Sequence, residues 1–308
     1  MKDALRNATL RQLQIFMVAA EYESYARAAE TMHLTQPAVS MQMKRLAEMA
    51  ETDLFVKSGR ELKLTSAGKT LLPYVRQITQ TIREAGEELD AIKGARHGEI
   101  RLGMVTTTQY FSPRLIIEFN KQYPEIELDV VIANRRDIVK KLENNEIDLA
   151  IMGRTPRRVP VTANKFYDHP YVIIAPKSHY LARQQIINPE HLTGESFLVR
   201  ENGSGTRLLL DNFFTAHNIH PPKIQEFSSN ESIKQGVMAG MGLAIISAHT
   251  IQLEKTVKLL SILDIDIMPI MREWYILHLT SKVLSPADIA FQQFMQTQAP
   301  KHMNDIFS

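Results

Sequence analysis

The chain has 308 residues, which is enough for two or three domains at roughly 100–200 residues per domain. It contains no cysteine, and this excludes disulfide frameworks, cysteine–zinc sites, iron–sulfur clusters and thiol nucleophiles. The net charge is only +2, so a nucleic-acid function has to be argued from where the basic residues lie. The sequence shows neither a signal peptide nor an apolar run long enough to span a bilayer, and we therefore expect a cytoplasmic protein without a membrane partner.

Three short helices are predicted within the first fifty residues. Apolar residues recur at helical spacing after Thr9, an alanine-rich segment spans 24–32, and a third helical segment follows Thr35. Thr9 and Thr35 are suitable N-caps, and Pro37 lies in the first turn of the third helix, where its missing N–H costs nothing. Because only residues 32–34 separate the last two helices, the pattern predicts a helix-turn-helix.

A basic hairpin and a long helix are predicted next. The strand-like segments 54–56 and 61–64 flank a turn that contains Lys57 and Arg60, which indicates a wing with a basic tip. Apolar residues then recur at helical spacing over 65–93, which predicts an amphipathic helix about 42 Å long. A helix of this length with an uncovered apolar face usually pairs with a second copy, so we interpret it as a dimerisation element.

Beyond residue 99 the predicted elements alternate between strand and helix. This order predicts a mainly parallel, doubly wound α/β sheet. Two lobes joined by crossover strands fit the pattern, with lobe I at about 99–166 and 270–308 and lobe II at about 167–269. The expected domains are a winged helix-turn-helix at 1–64, a linker helix at 65–93, a hinge at 94–98 and an α/β domain at 99–308.

Several fixed motifs identify a family. The segment Leu34-Thr35-Gln36-Pro37-Ala38-Val39-Ser40, preceded by Ala26-x-Ala28-Ala29 and followed by Leu62-x-Leu64-Thr65-x-Ala67-Gly68, resembles the LysR-type transcriptional regulators. The resemblance runs along the whole chain and implies an N-terminal all-α winged helix-turn-helix, a long linker helix and a two-lobed α/β effector domain resembling a type 2 periplasmic binding protein. It also implies a regulator, expected to be an activator, that binds double-stranded DNA as a homodimer or homotetramer and is not an enzyme.

A narrower resemblance lies in the second half. The segments Gly103-x-Val105-Thr106-Thr107, Tyr110-Phe111-x-Pro113-Arg114-Leu115, Asn134-Arg135 and 145–154 are similar to those of the CbbR subgroup, which regulates genes of carbon dioxide fixation. This match implies that the effector is a phosphorylated sugar, another phosphorylated metabolite or NADPH. A LysR-type regulator of another metabolic operon with a non-phosphorylated effector remains open, as does a cytoplasmic solute-binding module with a vestigial helix-turn-helix. An enzyme built on the lobes would need a nucleophile–base pair or a metal cluster, and the sequence shows neither.

The third helix is the predicted recognition helix, whose N-terminal residues reach base edges in the major groove. Gln36 can pair with adenine, and Pro37 offers apolar contact to a thymine methyl group. Ser40 and Lys44 can hold phosphates, which fix the register of the protein on DNA. The predicted DNA-contacting residues are Thr35, Gln36, Pro37, Ser40, Gln42, Lys44, Arg45, Lys57 and Arg60.

Two positions of this helix are less clear. Met41 stands where many family members carry arginine, so base readout is expected to depend more on Gln36 and Gln42. Arg45 contacts DNA in one interpretation and forms an ion pair with Glu48 or Glu51 in the other.

The predicted effector site is built from three helix starts that carry small hydroxyl residues, near 106–108, 202–207 and 228–231. Ligands of doubly wound sheets bind at the carboxyl ends of strands, and helix N-termini hold anions. Arg135, Arg136 and Arg154 can add charge for a phosphate. Ordinary N-capping is the alternative role of the hydroxyl groups. The predicted effector-contacting residues are Thr106, Thr107, Thr108, Arg135, Arg154, Gly203, Ser204, Gly205, Thr206, Arg207, Ser229 and Asn230.

Nucleotide hydrolysis and redox chemistry are not supported. The segment 202–207 does not match the phosphate loop GxxxxGK[ST], and no GxGxxG motif follows a predicted strand. The histidines are scattered, and no pattern of metal ligands is present. We therefore expect no cofactor and no metal, and NADPH, if it binds, would be an effector.

Overall fold

The computed structural model describes residues 4–58, 61–92 and 98–307. The chain divides into two compact units, with residues 4–92 in the first and nearly all of 98–307 in the second. Within the described residues, no helix is long and apolar enough to cross a membrane.

The first unit begins with three helices, α1 (Leu10–Tyr22), α2 (Tyr25–Thr31) and α3 (Gln36–Met49). An antiparallel strand pair, β1 (Phe55–Ser58) and β2 (Glu61–Leu64), follows them. The predicted helix-turn-helix with its hairpin wing is therefore confirmed.

Side-chain caps fix where the helices begin. The Thr9 hydroxyl accepts a hydrogen bond from the Gln12 backbone N–H, and the Gln12 side chain accepts one from the Thr9 backbone N–H, which completes a capping box. Thr35 likewise caps α3 by accepting from the Ala38 N–H. The three helices enclose one apolar core, whose buried members on them are Leu13, Ile15, Phe16, Ala19, Ala28, Ala29, Val39, Met43 and Leu46.

A long helix, α4 (Ser66–Ile92), follows the wing. Its N-cap is Thr65, whose hydroxyl accepts from the Gly68 N–H at 3.1 Å. Val75 joins the core of the first unit, whereas a row of large apolar side chains on α4 stays exposed. The predicted hinge, 94–98, lies outside the described residues except for Gly98.

The second unit contains a seven-stranded sheet and a separate two-stranded one. Its strands are β3 (Gly98–Val105), β4 (Ile126–Ala133), β5 (Leu149–Met152), β6 (Val161–Pro176), β7 (Phe197–Arg200), β8 (Ile224–Phe227), β9 (Ala244–Ser247), β10 (Leu260–Ile262) and β11 (Ile270–Leu279). Its helices are α5 (Ser112–Gln122), α6 (Arg135–Glu143), α7 (Gly205–Ala216), α8 (Asn230–Met238), α9 (Gln252–Thr256), α10 (Pro286–Thr297) and α11 (Ala299–Phe307).

Lobe I is formed by β3, β4 and β5, which are parallel, together with α5, α6, α10 and α11. Lobe II is formed by the parallel pair β7 and β8, by β9 and β10, and by α7, α8 and α9. The long strands β6 and β11 pair with each other along ten positions and run through both lobes. The predicted two-lobed α/β domain with crossover strands is confirmed.

The expectation of a mainly parallel sheet is wrong for the second half of this domain. The main sheet has the order β10-β6-β11-β5-β3-β4, and β6 pairs antiparallel with β9, β10 and β11. The strand β6 begins at Val161, ten residues before its continuous apolar run at 171–176. Residues 161–170 are half-exposed and mixed in polarity, so they lack the continuous apolar run that marks a buried strand.

One helix was missed at the C-terminal end. The apolar pattern of the sequence predicts one closing helix, α10, whereas a second helix, α11, follows it after Gln298. Pro300 lies in the first turn of α11, a position that tolerates proline. Met303 of this helix is buried in the core of lobe I, and Phe307 packs against that core.

Candidate nucleic-acid interface and effector cleft

One face of α3 is exposed and carries the predicted reading residues, while the opposite face is buried. Val39, Met43 and Leu46 point into the core, at the spacing expected for one side of a helix. The remaining turns present a stripe that suits entry into a DNA groove. The exposed residues of this stripe and its N-cap are Thr35, Gln36, Pro37, Ser40, Met41, Lys44 and Arg45.

Gln42 lies beside this stripe and has a structural partner. The Gln12 side-chain Nε2 donates to Gln42 Oε1 at 3.0 Å, which joins α1 to α3. Gln12 is buried, so loss of this bond would leave a polar group unsatisfied in the core. The Gln42 carboxamide oxygen therefore takes part in interhelical packing, and the base-reading role of Gln42 stays a prediction.

Basic residues accompany the stripe. Within residues 4–58 and 61–92, Arg45 has no ion-pair partner, so the alternative pairing with Glu48 or Glu51 is not observed. Lys57 lies exposed on β1, opposite Leu62 of β2 in the wing. The predicted wing-tip residue Arg60 lies outside the described residues.

A small cleft, about 40 Å³ in volume, lies between the two lobes of the second unit. Seven of the twelve predicted effector residues line it, and they come from both lobes. These seven are Thr106, Thr107, Arg135, Arg154, Ser204, Gly205 and Thr206. The other lining residues are Val105, Gly153, His169, Tyr171, Leu209 and Arg272.

The cleft is strongly positive. Arg135, Arg154 and Arg272 line it, and no carboxylate is among the lining residues. Burial and then the charge of Arg154 lower the pKa of Arg135, while burial and then the charges of Arg157 and Arg272 lower the pKa of Arg154. Guanidinium groups that are desolvated and close to one another gain from a bound anion.

Arg135 also has unused hydrogen-bonding capacity. Its Nη2 donates to the Thr155 carbonyl at 3.1 Å, but its Nε is buried and has no partner. A buried N–H without a partner is costly.

The N-terminus of α7 also faces the cleft. The Ser204 hydroxyl caps the helix by accepting from the Thr206 N–H at 3.2 Å. Gly205 and Thr206 form the first turn and line the cleft, where the positive end of the helix dipole favours an anion. Thr206 also hydrogen-bonds to Tyr171, whose pKa is raised to about 12 chiefly by burial.

Five predicted effector residues lie outside the cleft lining, and each has a local role. The Thr108 hydroxyl donates to the Val105 carbonyl, and Arg207 pairs with Asp211 and Glu226. The other three are Gly203, whose carbonyl accepts from an N–H of α6, Ser229, which caps α8, and Asn230, whose Oδ1 accepts from Arg200.

The sequence did not indicate three cleft residues that lie on the crossover strands. Tyr171 and His169 are on β6, and Arg272 is on β11. His169 stacks on Trp274 with 3.9 Å between ring centres, and both its ring nitrogens are buried without a partner. Burial, and then the charge of His249, holds the His169 pKa well below its ordinary value. The sequence alone does not reveal the pairing of β6 with β11, and this pairing places residues about one hundred positions apart in the same wall of the cleft.

Comparison with known proteins identifies both units. Residues 10–69 match the model of the bacterial regulatory helix-turn-helix proteins of the lysR family, and residues 93–300 match that of the LysR substrate binding domain. The HTH-type transcriptional regulator CbbR of Rhodospirillum rubrum is 43% identical over 290 residues, which are 94% of this chain and 96% of that protein. The RuBisCO operon transcriptional regulator of Allochromatium vinosum is 40% identical over 295 residues, 96% of this chain and 98% of that protein.

A solved structure resembles the second unit. The regulatory domain of CcmR from Synechocystis PCC6803, in complex with 2-PG, is 39% identical, with a TM-score of 0.64. The match covers 66% of this chain and all of that one. The winged helix-turn-helix, the two-lobed domain with its cleft and these similarities show that the chain belongs to the LysR family of DNA-binding transcriptional regulators.

Proposed function

We propose that this regulator controls genes of carbon dioxide fixation in response to a small phosphorylated anion that binds in the cleft between the lobes. The observation that carries the proposal is the convergence of Arg135, Arg154 and Arg272 on a cleft without a lining carboxylate. The relatives named for CbbR and for the RuBisCO operon support the gene class.

The ligand class follows from the cleft and its similar structure. A phosphate can take bidentate hydrogen bonds from guanidinium groups and single bonds from the N–H groups at the start of α7. The CcmR regulatory domain carries 2-PG, and we propose that 2-phosphoglycolate or a phosphorylated metabolite of similar size is the effector here.

On DNA, the exposed stripe of α3 is the proposed reading element. Two copies joined along α4 would place two recognition helices on an inverted repeat, and two such dimers would form the homotetramer. We infer that the protein acts in the cytoplasm, where it meets DNA, and that it is a regulator without catalytic activity. In this scheme a ligand changes the DNA complex only through its different affinities for the open and closed lobes.

Isothermal titration of the full-length protein tests the effector class. We expect 2-phosphoglycolate to bind, and Arg154→Gln to weaken it about tenfold or more, because a charge-assisted contact is lost. Arg158→Gln removes an exposed arginine outside the cleft lining and is the matched control. Ribulose bisphosphate, phosphoenolpyruvate, NADPH and sulfate should be titrated in parallel. Binding of NADPH alone would move the effector to another class, and no binding by any anion would overturn the proposal.

A further inference from the structure

The turn that carries the cleft threonines is held by lobe II at both of its ends. This turn, Thr106–Tyr110, follows β3 of lobe I. At its first residue the Thr106 hydroxyl accepts from Arg200 Nη2 at 3.3 Å, and at its last residue the Tyr110 hydroxyl donates to Glu231 Oε1 at 3.0 Å. Arg200 lies on β7 and Glu231 on α8, so both contacts join the lobes.

The contact at Tyr110 includes a buried ammonium group. Lys234 Nζ lies 4.9 Å from the centre of the Tyr110 ring, a cation–π distance. The Lys234 side chain is only 3% exposed, and it is held by the Thr250 carbonyl at 3.0 Å and by ion pairs with Glu231 at 2.6 Å and Glu254 at 2.8 Å. Because these partners all belong to lobe II, this cluster can stay assembled when Tyr110 moves away.

The contact at Thr106 is built in a similar way. Arg200 is buried, and its guanidinium donates to Glu201 at 2.7 Å and to Asn230 Oδ1 at 2.6 Å, both in lobe II. Arg200 and Glu231 are therefore both held in place by partners in lobe II. The Thr106–Tyr110 turn adds one hydrogen bond to each of them when the lobes are together.

We propose that Tyr110 is a positioning residue for effector binding, which clasps the Thr106–Tyr110 turn to Glu231 and Lys234 in the closed arrangement of the lobes. The inference rests on the proposed function, since Thr106 and Thr107 line the cleft that would hold the anion. Tyr110 itself is not a lining residue. A bond made only in the closed state raises the population of that state and therefore the apparent affinity of any ligand that prefers it.

The chain offers a matched pair of substitutions. Tyr110→Phe removes the hydroxyl and keeps the ring over Lys234. Tyr180→Phe removes an equivalent tyrosine–glutamate bond, from Tyr180 to Glu195 Oε1 at 2.6 Å, that lies wholly within lobe II. A general effect of losing one such bond would appear in both variants, whereas a clasp between the lobes would appear only in the first.

Two readouts are needed on the full-length protein. The first is the dissociation constant of 2-phosphoglycolate. The second is the distance between spin labels on Glu127→Cys in lobe I and Lys223→Cys in lobe II, since the chain has no cysteine of its own. We expect Tyr110→Phe to weaken binding roughly fivefold or more and to shift the ligand-free distances towards longer values, and Tyr180→Phe to change neither.

A double-mutant cycle tests whether Tyr110 acts through its stated partner. Adding Tyr110→Phe to Glu231→Ala should weaken binding no further than Glu231→Ala alone, because Glu231→Ala has already removed the acceptor of the Tyr110 hydroxyl. Additive losses would overturn this pairing.

The outcomes separate the clasp from the proposed function. If the wild-type protein binds 2-phosphoglycolate and Tyr110→Phe has the same affinity and distances, the clasp is wrong and the proposed function stands. If the wild-type protein binds no anion but Tyr110→Phe lengthens the distances, the clasp is supported and the proposed function fails.

Discussion

Arg135 and Arg154 line the same cleft, and the charge of Arg154 adds to burial in lowering the pKa of Arg135. Arg154 in turn is affected by Arg272 on β11, the strand that pairs with β5, so the three charges act on one volume. Because no carboxylate is among the lining residues, the three guanidinium groups repel one another, and a bound anion would reduce this repulsion. This relationship supports the proposal that the cleft as a whole, and not a single loop, recognises the anion.

The arginine cluster predicts how a salt would act on the protein. Inorganic phosphate or sulfate should raise the melting temperature of the wild-type protein, because an anion that binds the folded state stabilises it. At one hundred times the dissociation constant, the free energy of unfolding rises by about 2.7 kcal/mol. The rise should be smaller in Arg135→Gln, which removes the charge and the unpartnered Nε–H. Melting curves followed by fluorescence in chloride and in sulfate at matched ionic strength measure this. An equal rise in both variants would mean that the anions act through general salt effects.

Thr206 predicts a separation of effector response from DNA binding. Thr206→Ala removes a hydroxyl at the start of α7, where it lines the cleft and bonds to Tyr171. We expect weaker effector binding with unchanged affinity for DNA, as measured by titration and by gel shift. Thr215→Ala, on the same helix but exposed, is the control, since its hydroxyl only returns to the Asp211 carbonyl. An unchanged response in Thr206→Ala would remove Thr206 from the site.

The sequence predicted local features of the fold better than long-range ones. The N-caps Thr9, Thr35 and Thr65, and the helices that follow them, depend on residues three or four positions apart, so their signals are complete within a short window. The strand β6 has no such signal over 161–170, because its stability comes from pairing with β11 about one hundred residues later. The antiparallel pairing of β6 with β9 and β10 was missed for the same reason.

The site followed the same rule. Residues at the ends of strands and the starts of helices, such as Thr106 and Thr206, were predicted because those positions have a known relation to ligand sites. Arg272 was missed because nothing near it in sequence marks a site, and only the crossover pairing brings it to the cleft. Arg207 was also predicted, but it lies outside the cleft lining, and Asp211 of its own helix and Glu226 of β8 hold its guanidinium.

Two glutamines of the recognition helix are expected to affect different properties, DNA affinity for Gln36 and folding stability for Gln42. Gln36 is exposed at the start of α3, and Gln36→Ala should cost roughly 1–3 kcal/mol on DNA selected by the wild-type protein and little on random DNA. Gln42→Ala leaves buried Gln12 without its partner, so it should lower the free energy of unfolding of the first unit by about 1–3 kcal/mol. Equal losses by Gln36→Ala on both DNAs, measured by fluorescence anisotropy, would contradict base reading.

The histidines beside the cleft predict a pH effect on stability. Burial lowers the His249 pKa to about 4, and its Nδ1 accepts from the indole N–H of Trp274, the chain's single tryptophan. Below about pH 6.5 the imidazole of His249 binds a proton in the unfolded chain but stays neutral in the folded chain. The free energy of unfolding should therefore fall as pH decreases from about 6.5 to about 4.

Tryptophan fluorescence during urea unfolding measures this for the second unit directly, because Trp274 is in the core of lobe I. His249→Gln keeps a hydrogen-bond acceptor but cannot take up the proton, so its stability should fall less steeply over this range. Exposed His220 provides the control variant, His220→Gln. If the His249→Gln slope matched that of the wild type, the acid sensitivity would have to come from other groups.

The exposed face of α4 predicts the element that joins two copies. Tyr74, Ile78 and Ile82 are 62%, 45% and 49% exposed, and they recur every four residues along one side of the helix. Burying such a row against a second copy removes apolar surface from water, whereas a charged side chain there opposes it. Ile78→Glu with Ile82→Glu should therefore reduce the mass measured by light scattering to a smaller oligomer and weaken binding to a two-half-site operator. Ile117→Glu, an exposed isoleucine on α5, is the control for adding charge at an apolar position. If the α4 double variant kept the wild-type mass, another surface would have to join the copies.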